Sequence, residues 1–324
     1  MRIKIFIPSF ILLTLALCSC NNPQKTVAMA ETIFMSDSVR ASNLAITQDG
    51  RLFVSVNPMF MPTTRVYELK QNSLVLPYPD ANYVVGDDAI IEDVIGIRTD
   101  QNDNLWLLDM TKKHFIVWDT KNEVLKDILP IPDSVIRTNS FLQDFVIDTK
   151  NNRVIIADMT LSTNDTTAIS PAFIVMDIES GEAWRLAENH PTLMPEIIGG
   201  MALNPIAIDP AYNWVYFGAL NGTTIYRAPL DNFNDNDMLI ASIEEYGPKP
   251  FSDGIAVDTN QNVYVTNISD NAIGVTQNGI YRNIAMLPEG QSWPDGLYVS
   301  GDGYVYATVD QLDRTALFNN GICF

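Results

Sequence analysis

One phrase recurs six times along this 324-residue chain, and it constrains the fold more than any other feature. NLAITQDGRLFVS at 43–55 is followed by GIRTDQNDNLWLL at 96–108, DFVIDTKNNRVIIA at 144–157 and PIAIDPAYNWVYFG at 205–218. GIAVDTNQNVYVT at 254–266 and GLYVSGDGYVYAT at 296–308 complete the series. Each copy is a short apolar strand, a turn rich in Asp, Asn and Gly, and a second strand rich in β-branched and aromatic residues. That is the chemistry of a hairpin. The copies begin 42 to 61 residues apart, about fifty on average, which fits one four-stranded propeller blade.

Two more strands should therefore follow each hairpin, and most copies supply them. HFIVWD (114–119) and VLKDIL (124–129) follow the second copy, AFIVMDI (172–178) and AWRLA (183–187) the third, and TIYRAPL (224–230) the fourth. AIGVT (272–276) and IYRNIA (280–285) follow the fifth; TALF (315–318) and the terminal ICF follow the sixth. A strand near Thr32 and Met35 precedes the first copy and is expected to close the ring by pairing in the last blade. No stretch has the length and 3.6-residue period of a clear helix. The fold expected for 31–324 is thus all-β, a six-bladed β-propeller of four-stranded blades.

The N-terminus reads as an address. Arg2 and Lys4 precede an apolar run over residues 5–17, long enough for a signal sequence and too short to span a bilayer. The run ends in Leu17, Cys18, Ser19 and Cys20, similar to a bacterial lipobox. On that reading residues 1–19 are removed, Cys20 is acylated, residues 20–30 form a tether, and the protein is an exported lipoprotein of the cell envelope; an ordinary secretory signal is the alternative. The body beyond the anchor then holds only Cys323, so no intrachain disulfide supports it.

The formal charge is −19, and removing Arg2 and Lys4 with the signal makes it −21. Such a surface repels nucleic acid and anionic membranes, so contact with a membrane is expected only through the lipid. Two His and three Cys argue against zinc sites. No Gly-x-Ser-x-Gly elbow or phosphate-cradling loop is present. His190, in ENHP, reads as a loop anchor or a general base, and His114 as structural.

Several stretches carry a family likeness: GRLFVSV (50–56), PYPD (77–80), LWLLD (105–109), FIVMDIESGEAWRL (173–186), IYRAPL (225–230), SDGIAVD (252–258) and NAIG (271–274). In this order they resemble the major royal jelly protein/yellow family, over essentially the whole mature chain. The resemblance implies a six-bladed propeller. It implies less about activity, because members bind small amines or sterol-like ligands and some are linked to dopachrome conversion. Paired cysteines of the insect members have no counterpart here.

Inner strands of a propeller converge on a central channel, so the residues just before each of them should line one end. Aligning the copies brings Ser42 and Asn43, Ile95 and Gly96, Gln143 and Asp144, Asn204 and Pro205, Asp253 and Gly254, and Asp295 and Gly296 to that level, with Asp93 just upstream. Such carboxylates and amides suit Ca²⁺, Mg²⁺ or an ammonium group; equally, Asp-Gly and Asn-Pro are turn chemistry. Trp293, in a loop at the expected mouth, would stack on a planar or cationic ligand, with Phe251 its counterpart. Met59, Phe60 and Met61 form an apolar insertion, either a lid or a buried loop.

Three functions compete at this stage. The first is a surface-anchored propeller binding a small cationic or aromatic ligand at the channel mouth. The second, suggested by similarity to six-bladed lactonases, is a metal-dependent hydrolase or isomerase with Asn204, Asp253 and Asp295 as ligands; Glu31 is the only acid near the place where those enzymes carry a glutamate. The third is a scaffold for other envelope proteins or glycans.

Overall fold

The computed structural model describes residues 27–70, 74–87, 89–161, 168–301, 303–315 and 318. The signal segment, the proposed lipid site at Cys20, the tether up to residue 26 and Cys323 lie outside the described residues. The chain is an all-β propeller with four-stranded blades. The first comprises β2 (Ala41–Ile46), β3 (Leu52–Val56), β4 (Val66–Lys70) and β5 (Leu74–Pro77). The second comprises β6 (Val94–Thr99), β7 (Asn104–Asp109), β8 (His114–Asp119) and β9 (Val124–Pro130). In the third are β10 (Leu142–Asp148), β11 (Arg153–Asp158), β12 (Ala172–Asp177) and β13 (Ala183–Leu186). The fourth holds β14 (Leu203–Ile208), β15 (Trp214–Ala219), β16 (Thr224–Pro229) and β17 (Glu244–Pro248). β18 (Ile255–Val257), β19 (Val263–Asn267), β20 (Ala272–Gln277) and β21 (Ile280–Met286) make the fifth, and β22 (Pro294–Val299) pairs with β23 (Val305–Val309) in a two-stranded sheet. The inner strands β2, β6, β10, β14, β18 and β22 neighbour one another in chain order, and β22 returns to β2.

The turns of the repeat explain its polar spelling. Asp100 accepts hydrogen bonds from Asn102 N and Asn104 N, both 2.8–2.9 Å. Asp258 does the same for Asn260 and Asn262, and Asp209 for Asn213 and Trp214. Each carboxylate thereby fixes its hairpin loop. Apolar residues of successive sheets meet between blades: Phe53, Tyr78, Ile97 and Trp118 join the first pair, and Phe173 meets Phe217 edge-on at 4.9 Å between the third and fourth. Glycine permits close approach at the centre, since a Cβ on Gly254 would collide with the Asp295 carbonyl oxygen.

Three expectations are corrected. The N-terminal strand is β1 (Ala28–Met29), not 32–35, and it pairs in parallel with the outer edge of β21 in the fifth blade rather than in the last. Its open edge accepts Ala30 N at Met286 O, while Ile33 and Met35 stay exposed. Second, the chain after β23 does not turn back as a strand at 315. Leu312–Arg314 forms a 3-10 turn, and Phe318 is buried with its ring 4.8 Å from that of Trp293. Burying that ring wins over extending an exposed sheet edge. The terminal ICF lies outside the described residues. Third, a helix, α1 (Asn236–Ser242), bridges β16 and β17; Asp235 caps it by accepting from Met238 N at 2.9 Å.

Candidate functional site

Seven of the eight channel residues named from sequence come together. Asp253 is the knot, 2% exposed. Its Oδ1 accepts from Gln143 Nε2 at 2.9 Å and Asn204 Nδ2 at 2.6 Å, and its Oδ2 from Trp293 Nε1 at 2.6 Å. Four sheets are thus tied through one carboxylate. Asn43 Oδ1 accepts from Leu44 N and from Arg98 Nη1, and Asp144 from Phe145 N and Arg98 Nη2. Asp295 accepts from Ser42 Oγ at 2.5 Å. Asp93 is elsewhere: it holds Thr111 Oγ1 at 2.7 Å in a half-buried loop.

Trp293 is buried rather than open at a mouth. Its φ of +59° is rare for a bulky residue, and the bond to Asp253 with the packing of Phe318 holds it there. Met59 and Phe60 cover this end of the channel, packing with Met201, Leu220, Ile268, Trp293, Leu312 and Phe318. Met61 projects outward, 90% exposed. His190 caps a short 3-10 turn through Thr192, as a loop anchor would.

Four residues not singled out from sequence complete the site: Arg98, Lys249, Asp310 and Asn57. Asn57 Nδ2 donates to Asp310 Oδ2 at 2.8 Å, and Thr308 Oγ1 to Ser42 O at 2.5 Å, so the seam between β22–β23 and the first blade is closed by side chains. Lys249 Nζ is buried and donates to Gly222 O at 2.7 Å and Pro250 O at 3.2 Å.

Four buried acids therefore face one buried cation, Lys249, and the partly exposed Arg98, and the balance shows in their protonation. Burial, above all, pushes Asp144 up to about 6, with Arg98 pulling it down and Asp253 pushing it further up. Asp253 is raised by burial, and its three N–H donors draw it back. Asp295 and Asp310 stand well above the usual carboxylate range, first by burial and then through the charge of Asp253; Asp310 pushes Asp295 further up, whereas its hydrogen bond with Asp295 draws Asp310 back. Burial lowers Lys249 to about 7.

Two spaces lie on the axis. A cavity of about 10 Å³, room for one water, is lined by Asn43, Gln143, Asp144, Asn204, Asp253 and Asp295 with Arg98. Beyond Arg98, towards the ends of the inner strands, a cavity of about 190 Å³ opens between Ala45, Val146, Ile147, Ala207, Ile208, Val257 and Val299, with Tyr212 and Tyr298.

The residues named for Ca²⁺ or Mg²⁺ do not fit such an ion. Such ions want roughly six or more oxygen ligands, yet amide and indole N–H groups already point at both oxygens of Asp253. Asn204 Oδ1 is the polar atom at this place that meets no partner among the described residues. Those residues contain no group of three His, Cys, Asp or Glu placed to hold a metal.

Solved structures share this architecture. A gluconolactonase from Xanthomonas campestris is 12% identical with a TM-score of 0.61, covering 84% of each chain. Virginiamycin B lyase from Staphylococcus aureus is 15% identical with a TM-score of 0.52, covering 85% of this chain and 79% of the lyase. Identities this low speak for fold alone. No curated protein matches in sequence. The profile described as Major royal jelly protein matches residues 93–320, and by this match, the motif order and the propeller architecture, the chain belongs to the major royal jelly protein family.

Proposed function

We propose that this protein is an exported, lipid-anchored, six-bladed propeller of the major royal jelly protein family that binds a small molecule in its central channel. The two-stranded sheet of β22 and β23 is the sixth blade on this reading. The observation that carries it is the cavity of about 190 Å³, walled by apolar inner-strand residues and floored by Arg98 over a buried charged layer. At about 190 Å³ and open on one side, this space has room for a ligand with a single ring or a short aliphatic body. The apolar cap of Met59 and Phe60 closes the other end.

Thermal-shift and calorimetric titration with small neutral aromatics, amines and carboxylates tests the reading. At least one class is expected to bind, and Ala207→Phe, which fills the cavity from β14, should abolish it. Failure of every class, with Ala207→Phe indistinguishable from wild type, would sink the channel reading.

A metal-dependent hydrolase is the second reading. It draws on the fold shared with the gluconolactonase, and it would require the N–H donors around Asp253 to turn away from its oxygens. A divalent ion retained in stoichiometric amount by the purified protein, and lost in Asp253→Asn, would establish it over simple binding.

A further inference from the structure

Resting on the channel reading, we propose that the lower cavity takes a small organic carboxylate, its apolar body between the inner strands and its carboxylate on the guanidinium of Arg98. The charged and hydroxyl groups of strand β6 and its turn differ in what they have left to offer a ligand. Asp100 lines the cavity, but its carboxylate already accepts from Asn102 N, Asn104 N, Asn104 Nδ2 and Trp106 Nε1. Thr99 gives its hydroxyl to Ile46 O. Arg98 differs. Nη1 donates to Asn43 Oδ1 at 2.9 Å and Ile97 O at 3.1 Å, and Nη2 to Asp144 Oδ2 at 2.5 Å, while Nε–H has no partner among the described residues. Its side chain is 22% exposed and borders both cavities. Asp144 lies behind it, on the small cavity only. A ligand entering from the lower side thus meets a cation first and no unsatisfied acid. A planar carboxylate matches the guanidinium edge in a way an amine cannot.

Arg98 cannot fully serve two carboxylates at once, so binding has a proton consequence. The charged groups facing Asp144 are Arg98 from the second blade and, across the small cavity, Asp253 and Asp295 from the loops before β18 and in β22; the first and fourth blades present only the amides of Asn43 and Asn204. Drawing the Arg98 charge towards the ligand leaves Asp144 among acids, and it takes up a proton from solvent. The balance is simple: the ligand arrives as an anion, Asp144 becomes a neutral acid, and Arg98 keeps one anionic partner throughout. The acidity of Asp144, held near 6 before binding, places this uptake in an accessible range.

Calorimetric titration of the whole protein with benzoate and phenylacetate, against benzylamine and benzyl alcohol as isosteric controls, tests the proposal. The carboxylates should bind at least tenfold more tightly than benzylamine. Titrations in buffers of different ionisation enthalpy should report uptake of about one proton per benzoate, and affinity should be roughly tenfold higher at about pH 5.5 than at about pH 7.5. Asp144→Asn, nearly isosteric, should tighten benzoate binding and remove its pH dependence. Arg98→Met should lose carboxylate binding while still taking benzyl alcohol. Benzylamine or benzyl alcohol binding with benzoate excluded would overturn the carboxylate proposal and leave the channel reading standing. Failure of all four compounds would overturn both. Proton uptake needs only the wild-type protein, so the test survives a variant that fails to fold.

Discussion

Replacing Asp253 with leucine removes the acceptor for three N–H donors that sit in three other sheets. Gln143 Nε2, Asn204 Nδ2 and Trp293 Nε1, at 2.9, 2.6 and 2.6 Å, would all point at a methyl group. A buried donor left without a partner costs about 1–3 kcal/mol. The Trp293 indole has no other direction to turn, because its ring is fixed against Phe318. Gln143 and Asn204 border the small cavity, where a water can reach them. The total should therefore fall at about 3–6 kcal/mol, the lower half of the summed penalty. Asp253→Asn should behave differently. With the new Nδ2 in place of Oδ1, Asn204 and Gln143 can both turn their amides so that an oxygen accepts from it, leaving the carbonyl oxygen to Trp293 Nε1, and the cost should be about 1 kcal/mol or less. Urea denaturation followed by tryptophan fluorescence and far-UV circular dichroism gives both values, provided the m-values agree. The knot is refuted if the leucine variant loses less than about 1 kcal/mol, or if asparagine costs as much as leucine.

Three further outcomes are expected. Asn57→Leu leaves Asp310 without its 2.8 Å amide donor; a loss of about 2–3 kcal/mol is expected, with faster amide exchange in β2, β3, β22 and β23 than in the third blade, and uniform exchange would contradict closure by side chains. Lys249 titrates near 7 in the folded chain, below its unfolded value, so the unfolded chain binds more protons above that point and stability should rise from about pH 7 to pH 9. Lys249→Met should flatten that rise in the urea midpoint, and an unchanged slope would remove the assignment. Cys20→Ala should release the protein from membranes on cell fractionation; continued membrane partitioning would refute lipid anchoring.

The hairpins were legible because their turns are chemically explicit. The column held by Asp100, Asp148, Asp209 and Asp258 punctuates four repeats, and each acid caps the loop that follows it. The ring of amides and acids was legible from register alone, since Asn43, Asp144, Asn204, Asp253 and Asp295 occupy corresponding starts of inner strands. Their pairing was not, because it depends on side chains crossing the axis between residues over a hundred positions apart, as with Gln143 and Asp253. Arg98 carried a signal that register could have exposed: it shares a column with Ala45, Val146, Ala207, Ala256 and Tyr298, and a lone charge among those residues marks a change in the channel. β1 carried none. Two exposed residues, Ala28 and Met29, pair through backbone groups that every sequence possesses.

That short parallel pairing has a mechanical consequence. Tension applied from the N-terminal side reaches Met29 and its contact with Met286 before it reaches β2, the innermost strand of the first blade. Peeling two residue pairs from the rim of the fifth blade frees residues 28–39, up to Arg40, whose carbonyl Asn57 N holds; they span about 40 Å at full stretch. The propeller would gain reach while Asn57, Asp310, Ser42 and Asp295 still hold the ring shut. β1 is in this sense a catch on the rim: it gives first and spares the seam.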